Sequence, residues 1–164
     1  MIWRSIGCTN GDFMRAYLVV IDESDEARAA LRYAARRAAR TGGSVEILAI
    51  VPPAEFVEWG GVQAAMEEEA RLRAEAMGVQ AASAIDEEAG VQRNILVRQG
   101  EPVKAITDLL RERDDIAALV LGAAADGGPG PLVAHFSGSV AGTLPCPLVV
   151  VPGRLDDAAL DRLA

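Results

Sequence analysis

Aromatic residues make up only 4% of this 164-residue chain, so its interior cannot be organised around rings. Apolar residues still reach 51%, and the core must therefore be assembled from Val, Leu, Ile and Ala. Cysteine is nearly absent. Cys8 and Cys146 stand far apart in unrelated contexts, Cys146 between two prolines. That gives neither a disulfide framework nor a metal-ligand spacing, and it fits a reducing, cytoplasmic setting. No charge-free apolar stretch reaches the roughly 20 residues of a membrane-spanning helix, so no membrane partner is expected. Basic residues are outnumbered: the net charge is −8, and the arginines are mixed with acids along helical segments as solvated faces. With no basic patch to neutralise phosphates, DNA, RNA and anionic lipid are disfavoured as bulk partners. A secretory signal is missing too, because Met1 to Phe13 lacks a basic start followed by an apolar run. Residues 1–14 read as a poorly ordered leader, and Met14 is a candidate for the true start.

What is present is an alternation of strand-like and helix-like segments, long enough for one domain with a sizeable core. Residues 16–21 (AYLVVI) form a continuous apolar run ended by Asp22. Residues 25–40 place Ala27, Ala30, Leu31, Ala34, Ala35 and Ala38 at helical spacing. Ser24 suits the N-cap of that helix, and Thr41-Gly42-Gly43 suits its stop. A second buried run over 45–51 closes on Pro52-Pro53, and a long Ala/Glu/Arg-rich helix covers about 62–89. The pattern then predicts a short strand over 94–97 and a helix from Pro102 to about Arg113, with Pro102 in its first turn. A strand over 116–121, a Gly/Pro-rich loop over 122–131, a short helix near 134–143, a strand over 148–151 and a small helix over 155–163 complete the chain. Unbroken apolar strands are buried on both faces, and intervening helices force parallel crossovers. The expected fold class is α/β, an open five-stranded parallel sheet with helices on both faces. The domain spans 15–153, with a helical tail over 154–164.

In such sheets ligands bind beyond the carboxyl ends of the strands, where strand order reverses. Three strand ends carry candidates. Asp22, followed by Glu23 and Ser24, can accept hydrogen bonds from a ribose or an adenine amine, or it can simply cap the next helix. Gly122 ends the fourth strand and is followed by Gly127, Gly128 and Gly130. Such a loop can aim several N–H groups at a phosphate, or it can be a surface turn. It is not a P-loop, since no GK[ST] follows and the only lysine is Lys104. Gly138-Ser139 falls where the last helix begins or continues. A hydroxyl and free N–H groups there can hold a phosphate oxygen, or Gly138 can merely permit close packing. His135, the only histidine, has no nucleophile elbow beside it and reads as a helix-surface residue. Trp59 reads as a packing residue in the loop after the second strand, and Glu67-Glu68-Glu69 as an exposed helix face.

Taken together, the spacings are more informative than the parts. Gly128 is followed by nine residues and then Gly138-Ser139. This Gly-x9-Gly-Ser pattern after a strand ending in Gly resembles the phosphate and ribose loop of universal stress proteins. YLVVIDES resembles that family's opening strand and its Asp, although Glu23 replaces the usual Gly. EILAIVPP, GEPVKAITDLL, IAALVLG and CPLVVVP resemble the second strand, the Gly-x-Pro helix start, the fourth strand and the closing strand.

The resemblance implies strand order 3-2-1-4-5, an adenine nucleotide alpha hydrolase-like arrangement, with ATP or AMP between strands one and four. It carries the ligand contacts onto Asp22, Ser24, the Ile50 backbone, Gly122, Gly128, Gly138, Ser139 and Val140. It also implies a homodimer through the last strand, 147–151. One departure stands out. The family separates its first two glycines by two residues, whereas Gly122 and Gly128 enclose five, including Asp126. A carboxylate beside a triphosphate repels it unless a metal bridges them, so Asp126 either helps hold Mg²⁺ or marks a loop that no longer takes ATP. The function implied is a nucleotide-binding regulatory protein of the stress response with a protein partner that the sequence does not identify. A nucleotide-free dimeric interaction module is the alternative. A slow ATPase ranks third, for no water-activating base or positioned arginine is apparent.

Overall fold

The computed structural model describes residues 15–53, 60–88 and 90–164. The expectations for the leader, Cys8, Met14, Trp59 and Ala89 lie outside the described residues. The chain runs β1 (Ala16–Ile21), α1 (Asp25–Thr41), β2 (Ser44–Val51), α2 (Gly60–Glu88), β3 (Arg93–Gln99), α3 (Pro102–Glu112), β4 (Ile116–Ala123), α4 (Pro131–Phe136), a 3-10 turn (Ala141–Thr143), β5 (Leu148–Pro152) and α5 (Asp157–Leu163). The strands form one sheet in the order β3-β2-β1-β4-β5, and every pairing is parallel. Both the fold class and the strand order expected from the sequence hold.

Strand alternation divides the core. Val19, Ile47 and Val120 face one side, where Ala30, Ala34 and Ala38 of α1 and Ala74 and Ile85 of α2 cover them. Leu18, Leu48 and Leu119 face the other, against Ile106 and Leu109 of α3 and Phe136 of α4. Alanines on α1 keep its backbone close to the sheet, which compensates for the scarcity of large rings. Ser24 caps α1 by accepting from the Ala27 N–H at 3.2 Å, and Gly42 closes it in the left-handed region at φ 66°. The tail helix α5 buries Leu160 against the α1 side of the sheet. Arg36 pairs with Asp161 at 2.7 Å, and Arg40 donates to the Asp161 and Ala164 carbonyls.

Three boundaries differ from expectation. β3 runs over seven residues rather than four, because an edge strand tolerates polar residues such as Arg93, Asn94, Arg98 and Gln99. For the same reason it is not buried on both faces; Ile95 is 37% exposed. β4 continues through Gly122 and Ala123, which pair with Val151 and Pro152. The helix expected over 134–143 is displaced towards the N-terminus. Gly130, at φ 89°, supplies a turn that side-chain-bearing residues rarely adopt, and Pro131 is preset for the first helical position. That helix ends at Phe136, with Ser137 as its C-cap. Gly138 and Gly142 weaken any continuation, and only the 3-10 turn at Ala141–Thr143 follows.

A polar knot closes the amino end of the sheet, opposite the carboxyl ends of the strands. Glu46 on β2 is 2% exposed. Its Oε1 accepts from Asn94 Nδ2 at 2.9 Å and from Arg113 Nη2 at 3.2 Å. Arg113 also donates to both carboxylate oxygens of Asp115, at 2.6 and 2.5 Å. The end of α3 and the start of β4 are thus tied to β2 and β3.

Candidate functional site

β1 lies between β2 and β4, so the strand order reverses beside it and its carboxyl end is the expected crevice. Asp22 leaves β1 there. Its Oδ1 accepts from the Ser24 N–H at 2.8 Å, which makes it a turn residue at the start of α1 while its side chain remains exposed. Ser24 is likewise engaged through its hydroxyl as the helix cap.

Three hollows meet at Asp22. One of about 700 Å³ runs between α1 and α2, bounded by Asp22, Glu23, Arg28, Arg73, Met77 and Gln80. A second of about 410 Å³ lies at the end of β2 against Ile50 and Pro52, and again includes Asp22, Glu23, Arg73 and Met77. The third sits in the gap between β1 and β4, where Val20, Ser24 and Gly122 face Pro129, Gly130 and Pro131; it holds only about 110 Å³. Small-molecule pockets typically measure roughly 300–1,000 Å³. The first two fall in that range, and the gap implied by the resemblance does not.

The structure therefore brings together Asp22, Ser24 and Gly122 around the small gap, and Asp22 with Ile50 around the second hollow. Gly128, Gly138, Ser139, Val140 and Asp126 line none of these three hollows. Gly122 has a packing role: a Cβ there would fall 2.1 Å from the Glu26 carbonyl oxygen. The helix placement expected at Gly138-Ser139 needs correction. These residues do not start a helix; they follow the end of α4, and the Gly138 N–H donates to the His135 carbonyl at 3.2 Å. They lead into the 3-10 turn at Ala141–Thr143, whose Ala141 N–H donates to the Gly138 carbonyl at 3.1 Å. Asp126 turns to Arg154 at 2.6 Å, both side chains being exposed. Among the described residues no group of three or more His, Cys, Asp or Glu is arranged to hold a metal ion. The donor set therefore does not fit a Mg²⁺ site on Asp126.

Arg28, Arg73 and Met77 escaped sequence reading, since arginines alternating with glutamates look like any solvated helix face. Only the packing of α2 beside α1 reveals that two of them overlook the crevice. His135 lies exposed on α4, edge-on to Phe136 with ring centroids 5.0 Å apart. Burial pushes the Cys146 thiol up from its ordinary value, so it is a poor nucleophile at neutral pH. No helix among the described residues is long and apolar enough to cross a membrane.

Residues 14–152 match a family model described as "Universal stress protein family". Among solved structures, the universal stress protein UspA from Lactobacillus plantarum superposes with a TM-score of 0.70 at 20% identity, over 87% of this chain and 99% of that one. A universal stress protein from Archaeoglobus fulgidus in complex with dAMP gives a TM-score of 0.55 at 20% identity, over 84% and 97%. A universal stress protein in complex with cAMP gives 0.58 at 18% identity, over 84% and 96%. At these identities the likeness carries the fold. No curated protein matches the chain.

Proposed function

The chain belongs to the universal stress protein family, and from that premise we propose that it is a stress-response regulator that binds an adenine mononucleotide and acts as a homodimer. One observation carries the reading. Two hollows of nucleotide size, about 410 and 700 Å³, converge on Asp22 where the strand order reverses. There the Asp22 carboxylate can accept ribose hydroxyls, and Ile50 lines the hollow at the end of β2, where this reading places the base. Two fold relatives crystallised with mononucleotides, dAMP and cAMP, lend support. ATP with Mg²⁺ is a poorer candidate, because Asp126 is engaged by Arg154 and the β1–β4 gap is too small for a triphosphate. Calorimetric titration of AMP into the purified protein is expected to give saturable heat at one site per chain, with ATP binding more weakly. Absence of heat with any adenine nucleotide would remove this reading.

A nucleotide-free interaction module is the second reading. It is favoured by Pro129, Gly130 and Pro131 lying across the gap between β1 and β4.

For assembly, β5 is a sheet edge, and its Val150 side chain is 38% exposed. Pairing of two β5 edges would continue the sheet and cover that residue, which supports a homodimer through the last strand. Val150→Lys is expected to shift the protein from dimer to monomer in sedimentation velocity without altering its circular dichroism. A wild type that sediments as a monomer at high concentration would remove the dimer.

A further inference from the structure

We propose that the Asp126–Arg154 ion pair latches the loop over residues 124–130 across the gap between β1 and β4, and that this latch sets how long a phosphate chain the site accepts. The inference rests on the nucleotide reading above and deepens its preference for a monophosphate. In that reading the ribose lies at Asp22. The gap borders Asp22 and Ser24, and it is the space that a lengthening phosphate chain would need. Pro129, Gly130 and Pro131 form one of its walls and leave only about 110 Å³.

One partner of the latch is fixed to the fold and the other is not. Arg154 lies in the turn between β5 and α5, where the Gly153 N–H donates to the Ala123 carbonyl at 2.9 Å and the Leu155 N–H to the Pro152 carbonyl at 3.2 Å. Leu155 and Leu160 pack into the core beyond it. The far end of the loop is fixed as well, because Val133 and Phe136 are buried and hold α4 in place. Residues 125–129, by contrast, are exposed. Among the described residues, the 2.6 Å bond from Arg154 Nη2 to the Asp126 carboxylate is the one hydrogen bond that ties 124–129 to another part of the chain. Gly127, Gly128 and Gly130 sit at φ 78°, 103° and 89°, each with open space where a side chain would stand. Glycines in open space turn with little steric resistance, so these three form the hinge.

The strength of the pair suits a latch that releases. Both side chains are exposed, and an exposed ion pair biases a closed state over an open one by up to about fivefold. A ligand that needs the open loop binds only the open fraction, and its apparent affinity falls by that factor. A monophosphate that fits beside the closed loop loses nothing. The latch therefore acts on the ratio of triphosphate to monophosphate affinity, not on recognition of the base or ribose. A bare charge would act differently: Asp126 alone would repel every phosphate, and Arg154 alone would attract every phosphate.

Calorimetry on the full chain with AMP, ATP and adenosine tests the latch in the wild type, in Asp126→Asn/Arg154→Gln and in the exchanged pair Asp126→Arg/Arg154→Asp. Net charge is the same in all three, so a gain in ATP affinity reports release of the loop rather than loss of a repelling charge. Asp126→Asn/Arg154→Gln is expected to bind ATP about threefold to fivefold more tightly than the wild type, with AMP and adenosine changed by less than about twofold. The exchanged pair can form the bridge again and should return ATP to its wild-type affinity. In the ligand-free proteins, backbone amide relaxation should show lower order parameters at Gly127 and Gly128 when the pair is removed, and wild-type values when it is exchanged. Circular dichroism of each variant confirms that the fold is intact. An ATP-to-AMP ratio that stays the same in Asp126→Asn/Arg154→Gln overturns the inference and leaves the nucleotide reading standing, and so do unchanged order parameters. If neither the wild type nor the unlatched variant binds AMP, ATP or adenosine, both fall.

Discussion

Gly122→Ala is expected to destabilise the protein by about 3 kcal/mol, at the upper end of what inserting a single group into a packed site costs. The added Cβ would lie 2.1 Å from the Glu26 carbonyl oxygen, 2.4 Å from its carbon and 3.0 Å from the Ala27 nitrogen. All three are backbone atoms of the first turn of α1, so no side-chain rotation relieves the clash. Relief requires α1 to lift from β4, which would disturb the turn that Asp22 and Ser24 build. Gly128→Ala provides the contrast. Gly128 has open space around it but sits at φ 103°, so its cost should be only the conformational one, about 1 kcal/mol. Urea unfolding of the ligand-free variants measures both. Near-wild-type stability of Gly122→Ala would mean that α1 does not approach β4 as described, and that the glycine serves something other than packing.

Arg113→Ala is expected to cost about 3 kcal/mol, because removing one partner of a buried ion pair leaves the other charge uncompensated. Among the described residues, Glu46 would keep only Asn94 on Oε1, and its Oε2 already lacks a hydrogen-bond partner. Adding Glu46→Leu to Arg113→Ala should recover much of the loss, as an apolar replacement no longer carries a stranded charge. The same knot sets an acid dependence. Arg113 beside Asp115 holds that carboxyl below its ordinary 3.8. A lowered folded-state value means that the unfolded chain takes up the proton first. The contribution is then complete above pH ~4 and is lost as pH falls through the lowered value. Wild type should lose stability in that acid window, and Arg113→Ala, measured by thermal melts from pH 6 to 2, should lose less there.

Much of this fold is legible in the sequence because its local signals agree with one another. β1, β2 and β4 are unbroken apolar runs, and Ser24, Gly42 and Pro102 mark helix ends by their own chemistry. Strand order is not a local property; it entered through the family resemblance, and the pairing of β1 with both β2 and β4 bears it out. The placement of α4 was harder to read. The glycines around it suit a loop, a helix start or a helix stop, and only φ 89° at Gly130 followed by Pro131 decides among them.

The site divides the same way. Asp22 is found from a strand end alone, whereas Ile50 enters through the family resemblance. Arg73 is found by neither route, since α2 carries Ala, Glu and Arg around its whole circumference and periodicity cannot select its inner face. Glu46 resembles the polar position of a half-exposed strand. Its burial depends on Arg113, 67 residues away, and no window of sequence brings the two together.

The most direct test of the account is a titration of isotope-labelled protein with AMP, followed by amide-resolved nuclear magnetic resonance. Concerted, saturable shifts are predicted at Asp22, Ile50 and Met77, which line the hollows at the end of β1 and β2. No saturable shift at Asp22 or Ile50 at any AMP concentration would contradict it.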